Sequence, residues 1–211
     1  MQKINTPKKA PLSRIQEKNR NLILKAGLEV FSKYGFRGST VDQLANAAGM
    51  SKPNLLYYFP SKEAVHVALL EQLLQNWLEP LIELGPSANP VEEILVYVKK
   101  KLAMSRTYPL ESRLYANEIL QGAPNFSDAI KGPLKELVDE KAALIQSWSD
   151  EGKIAVVNPY HLIFSIWSTT QHYADFDVQI GGILSSDKHE ITKGAESYLE
   201  HLFRSTLTPK I

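Results

Sequence analysis

The sequence predicts an all-α chain of about nine helices, and three observations carry that prediction. Apolar residues recur three and four positions apart almost throughout, the period of a helix with one buried face. Nearly every such segment opens on a residue that can cap a helix and closes on glycine or proline. No convincing run of alternating strand residues interrupts them. With 211 residues, 44% of them hydrophobic and 22% charged, there is enough chain for one domain, or two small ones, around a packed core.

From the N-terminus, residues up to about Pro11 are expected to form a flexible arm. Ile23, Ala26, Gly27, Val30, Phe31 and Tyr34 fall at helical spacing, with Gly35 as the stop. Thr40 with Gln43 three residues on is a capping-box pattern and opens a short helix through Val41, Leu44, Ala45 and Ala48, which Gly49 ends. Ser51 caps a second short helix with Pro53 in its first turn, where a missing N–H costs nothing. Phe59-Pro60 stops it. Ser61 caps the next helix, and Glu63 in its first turn favours the helix dipole.

That helix is long, with a stripe from Ala68 through Leu73, Trp77 and Leu81 to Gly85-Pro86. Asn89-Pro90 opens a helix to Tyr108, and Pro109 another to Gln121-Gly122. Asn125 or Ser127 caps a helix over 126–151, with Pro133 near its start either kinking it or delaying the helix proper. Asn158-Pro159 starts a helix to about Ile180. Gly181-Gly182 and a polar loop precede a last helix over 187–206.

Composition excludes several classes. The chain has no cysteine, hence no disulfide framework, thiolate zinc site, iron–sulfur cluster or cysteine nucleophile. No apolar run approaches the ~18 residues of a membrane span. The basic, polar N-terminus lacks the apolar core of a secretory signal, so a cytoplasmic protein is expected. There is no nucleophile elbow, phosphate loop or metal cluster, and the acid pairs Glu92-Glu93 and Asp139-Glu140 have the spacing of solvated helix faces. Neither an enzyme nor a cofactor is implied.

The small net charge of +1 hides an asymmetry. The first 62 residues hold eleven Lys and Arg against Glu17, Glu29 and Asp42, a net +8, and the remainder carries −7. Such a split suggests a polyanion partner for the first part. The competing reading is a solubilising tail, since Lys3, Lys8, Lys9, Arg14, Lys18 and Arg20 supply much of the excess.

The residues beyond the tail favour the partner. Three helices with a tight turn at Ala48-Gly49-Met50-Ser51 describe a helix-turn-helix. The string Ala26…Phe31…Gly35…Gly38-Ser39-Thr40-Val41…Leu44-Ala45…Ala48-Gly49-Met50-Ser51-Lys52…Leu56-Tyr57-Tyr58-Phe59…Lys62-Glu63 resembles the TetR family of one-component transcriptional repressors. In helix-turn-helix geometry the second helix of the motif enters the major groove with its N-terminal residues toward base edges. Here those are Ser51, Lys52, Pro53 and Asn54. Lysine can read guanine or a phosphate, and Asn54 can bond adenine through two contacts, although such an asparagine also suits a plain surface position. The resemblance implies that Thr40, Tyr57 and Lys62 touch phosphates; Tyr58 either joins them or packs. The basic arm and Lys25 would add salt-sensitive affinity.

The resemblance divides the chain into residues 1–62, the basic arm and DNA-binding helices, and 63–211, an effector-binding and dimerising domain. Trp77-Leu78-Glu79-Pro80-Leu81, Glu118-Ile119-Leu120-Gln121-Gly122-Ala123-Pro124 and Thr170-Gln171-His172-Tyr173-Ala174-Asp175-Phe176 are similar to strings of the family's regulators of pyrimidine utilisation. Those respond to uracil and thymine. The resemblance further implies a homodimer on a palindromic operator, joined through the helices over 159–180 and 187–206. An effector would then act by changing the tilt of the 62–84 helix.

Spacing independently suggests a pocket. Ile163, Trp167, Thr170, Gln171 and Ala174 share a helix face, on which Trp167 offers a plane and Gln171 an acceptor and a donor for a uracil-like edge. Leu110, Leu114, Asn117, Glu118 and Gln121 share another. A buried Glu118 there needs a donor, either Arg113 or a ligand N–H. The candidate effector residues are Trp77, Tyr115, Glu118, Trp167, Thr170 and Gln171. Against this, tryptophans are commonly core, and Thr170 and Gln171 suit interhelical bonds or dimer contacts. His172 and Asp175 imitate a metal pair without a third ligand, and Tyr173, Asp175 and Phe176 also suit a subunit interface. The alternative within the family is a multidrug sensor that takes bulky cations against aromatic rings and carboxylates such as Glu118 and Asp175.

Overall fold

A computed structural model describes residues 13–209. The predicted arm up to Pro11 lies outside the described residues. The chain forms two compact units that divide between Leu69 and Leu70. Among the described residues every regular element is helical, and no helix is long and apolar enough to cross a membrane.

The first unit is built on α1 (Arg14–Gly38), α2 (Val41–Ala47), α3 (Lys52–Tyr58) and the start of α4 (Lys62–Ile82). Ser13 and Thr40 each form a complete capping box, with Gln16 and Gln43 respectively. Gly35 takes φ +69, which breaks the helical geometry of α1 three residues before its end, and Gly49 takes φ +67 in the turn between α2 and α3. Both are left-handed conformations that a side chain would strain. Ile23, Val30, Phe31, Leu44, Leu55, Phe59 and Val65 are buried together in this unit. A methyl group added at Gly27 would stand 3.0 Å from Val65 Cγ1, so α1 and α4 touch there without a side chain between them. Tyr34 departs from the predicted stripe and is exposed.

The second unit contains the rest of α4, α5 (Pro90–Thr107), α6 (Pro109–Leu120), α7 (Lys135–Asp150), α8 (Pro159–Asp175), α9 (Asp177–Leu184) and α10 (Lys188–Leu207). Its centre is α5, packed against α8 and α10, with α6 and α7 also against α8. Ile94, Leu95 and Val98 of α5 are buried, as are Leu162, Ile163 and Ile166 of α8 and Leu199 and Phe203 of α10.

Three expectations are corrected. Neither Asn125 nor Ser127 caps the helix before α7: it begins as a three-residue turn, Ser127–Ala129, and passes through a π-helical stretch, Ile130–Leu134. Pro133 sits within that stretch, where a residue without an N–H fits a widened turn. The helix from Pro159 ends at Asp175 rather than near Ile180, because Phe176 takes φ −118 and ψ 28. The chain resumes as α9, so Gly181 and Gly182 lie inside a helix rather than in a loop; among the described residues the helices number ten, the three-residue turn aside, in keeping with the expected nine or so.

Candidate functional site

In the first unit, α3 shows one face to solvent. Leu55 is fully buried, whereas Ser51, Lys52, Pro53, Asn54 and Tyr57 are exposed, Tyr57 to 72%. Ser51 Oγ accepts from the Asn54 backbone N–H at 3.4 Å, so the Asn54 side chain is not needed for the cap. Lys52 pairs with Asp42 at 2.9 Å across the α2–α3 corner, with both side chains half-exposed or more. Such a pair contributes little to stability and is readily exchanged for a phosphate or a base.

The remaining predicted contacts differ in how far they are already engaged. Thr40 is exposed, but its hydroxyl serves the α2 capping box. The Lys62 ammonium donates to the carbonyls of Phe36 (3.0 Å) and Ser39 (2.9 Å) and stands over the Phe36 ring. Two of its three N–H bonds therefore hold the end of α1, and one is left. The Tyr58 hydroxyl accepts from Asn19 Nδ2 at 2.7 Å, and its carbonyl accepts from Arg20. Tyr58 packs α3 onto α1, while Tyr57 stands edge-on to its ring and outward.

In the second unit the six predicted effector residues do not line one cavity. Tyr115 and Gln171 share a cavity of about 390 Å³ between α6 and α8, with Arg113, Asp175 and Phe176. Trp167 opens on a different groove of about 550 Å³, walled by Ile130, Leu134 and Val138 opposite Tyr160 and Phe164. On its inner side its indole N–H donates to the Tyr97 hydroxyl at 2.6 Å. Burial raises the Tyr97 hydroxyl above its ordinary pKa, and the bond from Trp167 opposes that. Thr170 is fully buried, but its hydroxyl donates back to the Ile166 carbonyl at 2.7 Å, so its donor is spent within α8.

Glu118 is buried and accepts from the Asn125 backbone N–H at 2.8 Å. Arg113 is not its donor: it reaches the Asp177 carboxylate at 2.8 Å and the Ala174 carbonyl, clamping the α8–α9 break. Asp175 accepts from the Ser112 hydroxyl at 2.6 Å, and burial raises its carboxyl above the usual range. His172 stacks on Phe176. Among the described residues no group of three His, Asp or Glu could hold a metal.

Trp77 is buried, and its indole Nε1 has no hydrogen-bond partner. Above its ring, at 4.6 Å, lies the ammonium of Lys101, a residue that sequence reading passes over. Lys101 closes the run Lys99-Lys100-Lys101, which has the look of a solvated face. Its register is the signal that could find it: Ile94, Tyr97, Val98, Lys101, Leu102 and Ser105 form the buried stripe of α5.

Comparisons with known proteins agree with this architecture. Residues 23–69 match the family of bacterial regulatory proteins, tetR family, and residues 70–209 match the YcdC-like protein C-terminal region, meeting where the two compact units divide. The chain is 48% identical over 171 residues to the HTH-type transcriptional regulator RutR of Escherichia coli K12, covering 81% of each. Among solved structures, apo AibR aligns with a TM-score of 0.66 at 18% identity, over 92% of this chain and 99% of that one. AibR in complex with isovaleryl coenzyme A and operator DNA aligns with a TM-score of 0.59 at 22% identity, over 74% and 85%. A basic helix-turn-helix unit, followed by a helical unit that matches its own family profile, and the identity to RutR lead to one conclusion: the chain belongs to the TetR family of transcriptional regulators.

Proposed function

We propose that this regulator binds a palindromic operator as a cytoplasmic homodimer and that a small planar effector, uracil or thymine, controls its DNA affinity. Residues 1–62 are its DNA-binding part and 63–211 its effector and dimer part. The observation that carries the DNA half is the exposed N-terminal face of α3, where Lys52 is exposed and the helix cap uses Ser51, leaving the Asn54 side chain out of it. Pro53 fixes the first turn, and Thr40, Tyr57 and the spare N–H of Lys62 serve phosphates. Two such helices about one helical turn of DNA apart, ~34 Å, read successive major grooves.

The identity to RutR supports the pyrimidine effector. The residues proposed for it are Trp77, Trp167 and Gln171, with Tyr115 and Glu118 and with Thr170 fixing the α8 backbone; Gln171 and Tyr115 would meet it in the α6–α8 cavity, and Trp167 in its own groove. Effector coupling of ~1–3 kcal/mol, roughly 5–150-fold in DNA affinity, is the expected scale. One observation favours a second reading, a multidrug sensor: the groove at Trp167 is large and mostly apolar and aromatic, although Lys131 and Lys135 also line it and Lys135 already pairs with Asp139, which favours a neutral ligand over a cation.

Calorimetric titration with uracil, thymine, cytosine and a bulky cationic dye separates the two. Saturable micromolar binding of uracil or thymine alone supports the pyrimidine sensor; dye binding in their place supports the drug sensor. Selection of bound duplexes from a random-sequence pool tests the DNA half, with a two-fold symmetric consensus as the expected result.

A further inference from the structure

Two lysines of the second unit are buried, and both donate to backbone carbonyls of α4. Lys141 donates to the Ile82 carbonyl at 3.1 Å and is paired with the exposed Glu140 carboxylate at 2.9 Å. Lys101 is deeper, 1% exposed, and donates to the Trp77 carbonyl at 3.3 Å, one turn before Pro80 within α4. It forms no ion pair among the described residues, and its ammonium also faces the Trp77 ring. That ring carries the second anomaly, an indole N–H that is buried and unpartnered.

A buried cation without a counter-charge and a buried donor without an acceptor are each costly. Here they stand on one residue pair. Burial pulls the Lys101 ammonium down to about 7, and the Trp77 carbonyl and ring face that it meets offset only part of that cost. A lysine needed only to tie α5 to α4 is served by the arrangement of Lys141, with a carboxylate at the surface. In its charged form the lysine, like the indole N–H, donates and does not accept. What satisfies them together is a ligand edge rich in acceptors.

We propose that Lys101 and the Trp77 indole N–H form the specificity element of the effector site, donating to ring oxo or carboxylate oxygens and rejecting amino-substituted rings. This rests on the reading that the second unit binds a planar effector near Trp77, and it adds a residue and a selection rule to that reading. An oxo group at the ring position facing Lys101 accepts a charge-assisted hydrogen bond. An amino group there places donor against donor and leaves the ammonium buried without a partner. The site therefore prefers uracil over cytosine, and it also admits a planar carboxylate of similar size.

The test is calorimetry on the full-length protein, Lys101→Met and Trp77→Phe, with uracil, cytosine and benzoate as probes. Lys101→Met keeps the length of the side chain and removes the charge, a change that buried sites generally tolerate. It is expected to fold with an unchanged circular dichroism spectrum and to bind uracil roughly tenfold to hundredfold more weakly, with preference over cytosine lost. Trp77→Phe keeps a ring and is expected to lose several-fold. Wild-type affinity for uracil in Lys101→Met overturns the proposal and leaves the pyrimidine reading standing. If benzoate binds, uracil does not and Lys101→Met abolishes the binding, the pyrimidine reading falls and the Lys101 assignment holds. Benzoate binding that survives the substitution, or no binding of any probe to the wild-type protein, overturns the assignment. Should Lys101→Met fail to fold, unchanged uracil affinity in Trp77→Phe overturns it equally.

Discussion

The indole N–H of Trp167 donates to the Tyr97 hydroxyl at 2.6 Å, so the aromatic ring that walls the α8 groove is held from behind by α5. Tyr97 is 2% exposed. Tyr97→Phe keeps its packing and removes the acceptor, leaving a half-buried donor unsatisfied. Stability should fall by about 1–2 kcal/mol, read as a shift of the urea midpoint at constant m-value. The double variant with Trp167→Phe, which removes donor and acceptor together, should recover part of that loss; an additive effect would mean the bond contributes nothing specific.

Lys62 separates a positioning role from a phosphate role. Its two carbonyl bonds close the end of α1, where Gly35 has already broken the helix. Lys62→Met should lower the stability of the protein by about 1–2 kcal/mol, since hydrogen bonds from a charged donor are lost and two carbonyls are left short of a partner. If its third N–H also meets a phosphate, the slope of log affinity against log salt on DNA should shrink by ~0.9. A stability loss with an unchanged slope would make Lys62 purely a strut.

On α3 the expectation is reversed. The Lys52–Asp42 pair is exposed, so Lys52→Ala should move stability by less than about 1 kcal/mol while weakening DNA binding. Asn54→Ala should cost about 1–3 kcal/mol on a selected duplex and relax preference at one base pair. Equal losses on every duplex would assign Asn54 to the backbone rather than to a base.

The features legible in the sequence are local ones. Both capping boxes of the first unit, the Gly49 turn and the Pro-opened helices at Asn89 and Asn158 depend on residues within four positions of each other. The break at Phe176 is not legible, because Asp175, Phe176 and Asp177 include neither proline nor glycine. It is held by distant residues: Arg113 on Ala174 and Asp177, and Ser112 on Asp175. The same limit applies to the effector residues. Helical spacing places Trp167, Thr170 and Gln171 together, but whether each finds a cavity, a tyrosine or its own helix is decided by α5, α6 and α7. Lys101 is hidden by its charge, which outweighs its register.

Lys101 also fixes a pH dependence. With the native pKa near 7 and the unfolded value at 10.5, the unfolded chain binds more protons between those limits, so stability rises with pH across that window. Below about pH 7 both states carry the proton, and the folded protein bears the whole penalty of a buried charge. Melting temperatures of wild type and Lys101→Met should therefore diverge most near pH 6, with the variant the more stable, and converge toward pH 10. A constant difference between the two would mean that water reaches the ammonium and that burial does not control it.

The last expectation concerns assembly. Around α9, Phe176, Val178, Ile183 and Leu184 are all more than half exposed, Val178 to 85% and Ile183 to 72%, and Tyr198 of α10 is exposed as well. So many exposed apolar side chains on one short segment are seldom left to water. The helices from Pro159 onward are those proposed to join two subunits, and the break at Phe176 turns α9 into a separate segment that carries this apolar set. A charge introduced there has to be buried if the surface is an interface, and stays solvated if it is not. Ile183→Glu should thus leave the helical content of the subunit unchanged and raise the dimer dissociation constant by at least tenfold in sedimentation equilibrium. DNA affinity should fall with it, because two recognition helices on one duplex require two joined subunits. An intact dimer in Ile183→Glu would exclude α9 from the interface and assign that role to the exposed faces of α8 and α10.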